Sequence, residues 1–180
     1  MKYLCVFCGS KMGGPAIYAE SARQFGRALA GRGLGLVYGG GHIGLMGILA
    51  DMVLQAGGSV IGVIPRSMVE RELAQTNLTE LHVVETMHQR KALMAERADG
   101  FAALPGGFGT ADEWFEILTW RQLGLHDKPI GLLNVAGFFD PLLAWVDRTV
   151  EEGFLRADNR ALIHVTDTAE HLLDLLLAAR

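Results

Sequence analysis

The stretch Gly100-Phe101-Ala102-Ala103-Leu104-Pro105-Gly106-Gly107-Phe108-Gly109-Thr110-Ala111-Asp112-Glu113 decides how this chain folds. Its first five residues are short, apolar and strand-like, and Trp114 to Leu123 has helical periodicity, so a glycine turn joins a strand to a helix. The glycines let backbone N–H groups approach a ligand closely, and the free N–H groups and dipole at a helix start favour phosphate there. Asp112 or Glu113 would then stand within reach of that ligand. A plainer reading is open at the same residues, in which Thr110 caps the helix and Glu113, three residues on, completes a capping box. A capping threonine and a phosphate-binding one can be the same residue.

Outward from this unit, strand and helix alternate along the whole chain. The first strand is Tyr3-Leu4-Cys5-Val6-Phe7, followed by a helix from about Ile17 to Arg32, a strand Leu34 to Tyr38, a helix from about Gly44 to Ala56 and a strand Ser59 to Ile64 that Pro65 ends. Arg66 to Glu80 is acidic and polar and shows no periodicity. A strand at Leu81 to Val84, a helix at Met87 to Ala98, the central unit, a strand at Pro129 to Leu133, a helix at Phe138 to Glu152, a short strand at Ile163 to Val165 and a helix from about Ala169 complete the pattern. Near-continuously apolar strands between amphipathic helices mean a parallel sheet covered on both faces. The expected fold is a single α/β domain over residues 1–180, a doubly wound, Rossmann-like parallel sheet with helices on both faces. Ligands of such sheets bind beyond the carboxyl ends of the strands, where the strand order reverses.

Three glycine loops follow strands and converge on that edge: Cys8-Gly9-Ser10, Gly39-Gly40-Gly41-His42-Ile43-Gly44 and Pro105 to Thr110. The second spells G-x-G-x-x-G, yet it does not follow the first strand, and the acid that would bind ribose hydroxyls is missing because the next strand ends Ile64-Pro65-Arg66. Dinucleotide binding is therefore not expected, and no glycine loop carries a Walker A lysine. Cys5 and Cys8 form a C-x-x-C, but residues three apart on a strand point to opposite faces and no partner motif supplies two more zinc ligands, so both read as buried core residues. His88 reads as a helix-start or packing residue, His42 and His126 as lone loop residues, and no histidine and carboxylate spacing suggests a metal. Met87-His88-Gln89-Arg90-Lys91 opens a helix with two adjacent cations, an unfavourable placement toward the helix dipole that an anionic ligand would explain. Otherwise Arg90 and Lys91 are solvated, or Lys91 pairs with an acid such as Glu85 or Glu96.

The chain has 180 residues, half of them hydrophobic, a fifth charged, with 23 glycines and a net charge of −4. That suits one glycine-turned α/β domain and argues against a protein that coats nucleic acid. Met1 to Phe7 enters a strand at once and no apolar run approaches membrane-spanning length, so a cytoplasmic protein without membrane partners is expected.

Pro105-Gly106-Gly107-Phe108-Gly109-Thr110 followed by Glu113, with Met87-His88-Gln89-Arg90-Lys91 upstream, resembles the LONELY GUY family of cytokinin riboside 5′-monophosphate phosphoribohydrolases. Val6-Phe7-Cys8-Gly9-Ser10, Val37-Tyr38-Gly39-Gly40-Gly41, Gly44-Leu45-Met46-Gly47, Val60-Ile61-Gly62-Val63-Ile64-Pro65 and Thr119-Trp120 with Gln122-Leu123-Gly124 stand in the family's order, so the resemblance covers nearly the whole chain. It implies hydrolysis of the N-glycosidic bond of a nucleoside 5′-monophosphate, such as AMP or N6-isopentenyl-AMP, to free base and ribose 5-phosphate, with no cofactor and no metal. The family's catalytic arginine and glutamate fall on Arg90 and Glu113. Its substrate contacts fall on Ser10, Gly40, Glu72, Met87, Lys91, Gly106, Gly107, Phe108, Gly109, Thr110, Ala111, Asp112 and Thr119. The family usually has two glutamates after the loop, where this chain has Asp112 first, and Lys11 replaces a small polar residue often seen after Ser10.

Breaking a glycosidic bond builds positive charge on the ribose, which a carboxylate such as Glu113 stabilises, while the glycine loop holds phosphate and Arg90 clamps phosphate or ribose oxygens. Relatives are sometimes labelled lysine decarboxylases, which would need a pyridoxal-phosphate lysine; only Lys91, among Lys2, Lys11, Lys91 and Lys128, falls near the site. The P-G-G-x-G-T motif also occurs in proteins resembling molybdenum-cofactor carriers, which leaves a non-catalytic nucleotide- or cofactor-binding module as the alternative. The helices Thr110 to Leu123 and Met87 to Ala98 carry more apolar residues (Trp114, Phe115, Ile117, Leu118, Trp120, Leu123; Met87, Leu93, Met94) than one covering helix normally buries, and the resembling family forms homodimers there, so a homodimer is expected.

Overall fold

A computed structural model describes residues 1–69 and 74–179. Seven strands, β1 (Tyr3–Phe7), β2 (Gly35–Tyr38), β3 (Val60–Pro65), β4 (Glu80–Val84), β5 (Phe101–Ala103), β6 (Ile130–Leu133) and β7 (Ile163–Thr166), form one sheet. They are all parallel, in the order β4-β3-β2-β1-β5-β6-β7. The expected α/β doubly wound sheet is therefore the fold observed. The order reverses between β1 and β5, so the crevice opens between the loops after these two neighbours.

Side-chain alternation along the strands sorts the core into two layers. Leu4, Val6 and Cys8 point to the face covered by α1 (Ala16–Gly31), α2 (Gly44–Gln55) and α7 (Ala169–Ala178), where Phe25, Leu29, Leu49 and Leu172 meet them. Cys5 and Phe7 point to the other face, where Met94 of α3 (Met87–Arg97), Trp114 and Ile117 of α4 (Phe108–Gln122) and Val146 of α5 (Asp140–Glu151) close over them. The two cysteines are thus free, buried and on opposite faces, as strand geometry requires.

Two local expectations need correction. Helix α4 starts at Phe108, with Gly107 as its cap residue and no capping side chain, so Thr110 lies inside the first turn and its capping box with Glu113 does not form. The capping box sits instead at α3, where the Thr86 side chain accepts from Gln89 N–H and the Gln89 side chain accepts from Thr86 N–H. Those contacts satisfy orphan donors at the helix start without any carboxylate. A further short helix, α6 (Ala157–Arg160), lies in a stretch without helical periodicity. Among the described residues, no helix is long and apolar enough to cross a membrane, and no three His, Cys, Asp or Glu side chains gather as a metal would need.

The β1 loop is clamped onto the start of α2. Leu45 and Met46 donate their N–H groups to the Gly9 carbonyl at 3.0 and 3.4 Å, and Gly9 N–H donates to the Pro105 carbonyl at 3.1 Å. Gly44 has φ +64°, and a Cβ there would overlap the backbone of Ser10 and Lys11. Gly44→Ala is therefore expected to cost about 3 kcal/mol, the upper end for overpacking, with the backbone strain adding to it. The urea midpoint measures this, and an unchanged midpoint would show that the clamp yields freely.

Candidate active site

The site assembles on three elements that the sheet brings to one edge. The β1 loop supplies Cys8, Gly9 and Ser10, the start of α4 supplies Gly107, Phe108, Gly109, Thr110 and Glu113, and α3 supplies Arg90. With Met46 they line one cavity of about 160 Å³. Its lining side chains are polar apart from Met46, Phe108 and Cys8.

Arg90 is 4% exposed and reaches the cavity lining from α3. Its Nε donates to the Val63 carbonyl at 3.2 Å and its Nη2 to the Gly39 carbonyl at 2.8 Å, while Nη1 faces the Met87 sulfur at 3.8 Å. A buried guanidinium cannot shed its proton, so its donors must be met. Carbonyls at the ends of β2 and β3 do part of this. Gly39 is required for it, because a Cβ there would occupy the position of the guanidinium. The G-x-G-x-x-G loop thus serves to admit an arginine rather than a pyrophosphate.

Glycine at 106 has a comparable reason, since a Cβ there would overlap the Thr110 hydroxyl and press on Gly9 N. Thr110 is 5% exposed and holds the turn from within. Burial pushes the Cys8 thiol far above the usual thiol range, and the Glu113 carboxylate pushes it further, so Cys8 adds no negative charge to the cavity.

Lys91 points away from this cavity. Its Nζ pairs with Asp112 at 3.2 Å and Glu116 at 3.1 Å, joining α3 to α4. Neither acid suggested by sequence is its partner; Glu85 pairs with Arg66 at 3.1 Å. Partial burial lowers the lysine pKa, but the hydrogen bonds that Lys91 donates to Glu116 and Asp112 and the attraction of those carboxylates outweigh it, and the net shift is upward.

Other expected residues spread out. Met87 flanks Arg90, and Ala111 follows the loop within the first turn of α4. Gly40, at φ +77°, packs its backbone on Val63 and Ile64 and accepts from Gln75 N–H at 3.0 Å, outside the cavity lining. Thr119 donates its hydroxyl to the Phe115 carbonyl at 2.8 Å and lines a separate apolar groove. Glu72 lies outside the described residues. Cys8, Gly9 and Met46 line the cavity although sequence reasoning named none of them as contacts; for the first two, their place in a glycine loop at the switch point was the available signal.

The family profile described as "Possible lysine decarboxylase" matches residues 46–176. A probable cytokinin riboside 5′-monophosphate phosphoribohydrolase of Oryza sativa subsp. japonica is 51% identical over 170 residues, 94% of this chain and 76% of that one. A cytokinin riboside 5′-monophosphate phosphoribohydrolase of Arabidopsis thaliana is 48% identical over 172 residues, 96% of this chain and 81% of that one. The chain belongs to the LONELY GUY family. The molybdenum cofactor binding protein of Rippkaea orientalis superposes on it with a TM-score of 0.74 over 99% of this chain and 97% of that one, at 19% identity, a likeness of fold alone.

The decarboxylase description of this LONELY GUY family profile conflicts with the lysines. A Schiff-base lysine needs a neutral amine, and Lys91 is held as a cation by two carboxylates. Lys128 Nζ donates to the Ala95 carbonyl at 2.8 Å, away from the cavity. Because the folded pKa of Lys91 is raised, its ion pairs persist through neutral pH and below the ordinary lysine value, and their contribution is lost only as pH rises through the higher folded value. The ¹³C signal of reductively methylated Lys91 is expected to titrate above the ordinary lysine range, and added pyridoxal phosphate to give no aldimine absorbance at this residue. An earlier titration, or an aldimine band that Lys91→Met abolishes, would restore the decarboxylase reading.

Proposed function

We propose that this protein hydrolyses the N-glycosidic bond of cytokinin riboside 5′-monophosphates, releasing free base and ribose 5-phosphate. The observation that carries the proposal is that Arg90 and Glu113, distant in sequence and on different helices, line one cavity with the N-terminus of α4. A binding module would need the anion cradle but not the carboxylate beside it. The fold likeness to cofactor-binding proteins does not decide otherwise, because function resides in the site.

In this reading the substrate phosphate lies against the free N–H groups of residues 107–109, where the dipole of a 15-residue helix favours an anion. The ribose lies between Arg90 and Glu113. As the bond to the base lengthens, positive charge grows on the sugar, and the fixed Glu113 carboxylate stabilises it more in the transition state than in the ground state. Arg90 is a permanent cation, so it positions oxygens and is no proton donor. Ser10 lines the same cavity, and Met87 flanks Arg90 beside it.

Glu113→Gln is expected to lower kcat for release of base from AMP or N6-isopentenyl-AMP by about a hundredfold to a thousandfold while KM stays within a few-fold. Arg90→Ala is expected to damage both parameters, and adenosine to be cleaved at least about a hundredfold less efficiently than AMP, because the phosphate supplies the binding energy that positions the bond. Base release assayed by chromatography tests all three, and wild-type turnover in Glu113→Gln would end the mechanism.

Two copies of the chain pair, in our reading, through an apolar groove of about 560 Å³ between α4, α5 and α6. Much of the surface expected to be spare is packed on the sheet: Trp114, Ile117 and Met94 are buried, and Leu93, Phe115, Leu118 and Trp120 are partly so. The groove is completed instead by Trp145, 56% exposed, and Phe154, 86% exposed. Exposed aromatics beside a groove of this kind favour a self-complementary contact. Light scattering is expected to give twice the chain mass, and Trp145→Glu with Phe154→Asp to give the monomer; a wild-type monomer at every concentration would rule the pairing out.

A further inference from the structure

A second chamber, of about 340 Å³, lies against the candidate active site and shares Gly9, Ser10 and Gly107 with it. Gly107 is the cap residue of α4, and the loop carrying Gly9 and Ser10 is bonded to Pro105 just before it, so the two spaces meet beside the place where the nucleotide phosphate lies in the function proposed above, on which this inference rests. Glu113 is on the other side of that meeting point. The chamber is bounded by Met12, Tyr18, Leu45 and Phe138, with Tyr18 and Phe138 in edge-to-face contact at 5.6 Å between ring centroids.

Among the described residues Lys11 is its only charged lining residue, and no carboxylate lines it. Among the described residues no acid pairs with Lys11, unlike Lys91 on the far side of the cavity. The backbone that carries Lys11 is fixed, because Gly9 is bonded to both α2 and Pro105 and Ser10-Lys11 rest against Gly44. A monophosphate leaves the chamber unused. A chain extended from the 5′-phosphate would cross the glycine wall into it and meet an uncompensated ammonium, which binds phosphate as a point charge.

We propose that the chamber receives the terminal phosphate of a nucleoside 5′-diphosphate, with Lys11 as its charged contact, so that the enzyme binds ADP at the same site as AMP. Calorimetric titration of AMP and ADP tests this in the Glu113→Gln protein, where turnover does not consume the ligand. ADP is expected to bind within about tenfold of AMP. Adding Lys11→Ala is expected to weaken ADP about fivefold to tenfold, the loss of one charge-assisted contact, and AMP less than twofold, with Lys11→Arg restoring ADP. Wild-type chains with Lys11→Ala alone should keep kcat and KM for AMP. ADP binding more than tenfold weaker than AMP, or an equal loss of both ligands in Lys11→Ala, would overturn the proposal while leaving the hydrolase reading intact. Failure of AMP itself to bind would overturn the hydrolase reading instead, and ADP binding that depends on Lys11 would still support the chamber.

Discussion

Burying a guanidinium is the constraint on which the rest of the site depends. Arg90 keeps its charge in a place where water cannot solvate it, and that costs several kcal/mol unless oriented dipoles replace the water. The carbonyls of Gly39 and Val63 act as such dipoles, at 2.8 and 3.2 Å. This demand propagates outward. It excludes a side chain at position 39, fixes how α3 seats on β2 and β3, and requires α3 to begin where Thr86 and Gln89 can cap it. The helix dipole at that start opposes a cation, so the arginine is there because the cavity, not the helix, uses its charge.

The topology explains why so few segments suffice. In a sheet ordered 4-3-2-1-5-6-7 the central neighbours β1 and β5 have their following helices, α1 and α4, on opposite faces. Both loops therefore reach the cavity directly, each with its glycines. The β2 and β3 ends lie one and two strands away and contribute only through Arg90. Lys91, the adjacent residue on α3, faces α4 and ties it to α3 through Asp112 and Glu116. Consecutive cations thus do different work: one lines the cavity, and one brings the helix carrying Glu113 against the helix carrying Arg90.

The sequence made the parallel sheet legible because its strands are apolar runs and its helices are periodic, and the three glycine loops marked the right edge of that sheet. The cysteines were readable for the same reason, through strand alternation. What escaped were features set by side-chain competition. Thr110 has the spacing of a capping box, yet the glycine at 107 begins the helix three residues earlier and draws the threonine indoors. Gln89 caps α3 with its amide oxygen, a role that a local pattern built on an acid does not mark. The partners of Lys91 lie on α4, twenty-odd residues away, and no local rule reaches them. The pairing of Arg90 and Glu113 in one cavity came from family resemblance, since nothing in their spacing announces it. The spare apolar surface was assigned to α3 and α4, but core packing claims most of it and the exposed aromatics belong to α5 and the turn before α6.

Along α4 itself the division of labour follows from helix geometry. Rising about 1.5 Å per residue, the helix places Glu113 about 9 Å beyond Gly107, and its side chain leans back toward the N-terminus, which shortens the gap. An anion at the first turn and a carboxylate one and a half turns on are then separated by the reach of a ribose, without either being crowded by the other. The opposite charges that phosphate and oxocarbenium need can coexist because one is met by backbone N–H groups and the other by an acid. Burial favours the neutral form of the Cys8 thiol, so among the described lining residues of the cavity Arg90 and Glu113 are the charged ones. The burial that holds Cys8 protonated thereby preserves the polarity of the cavity.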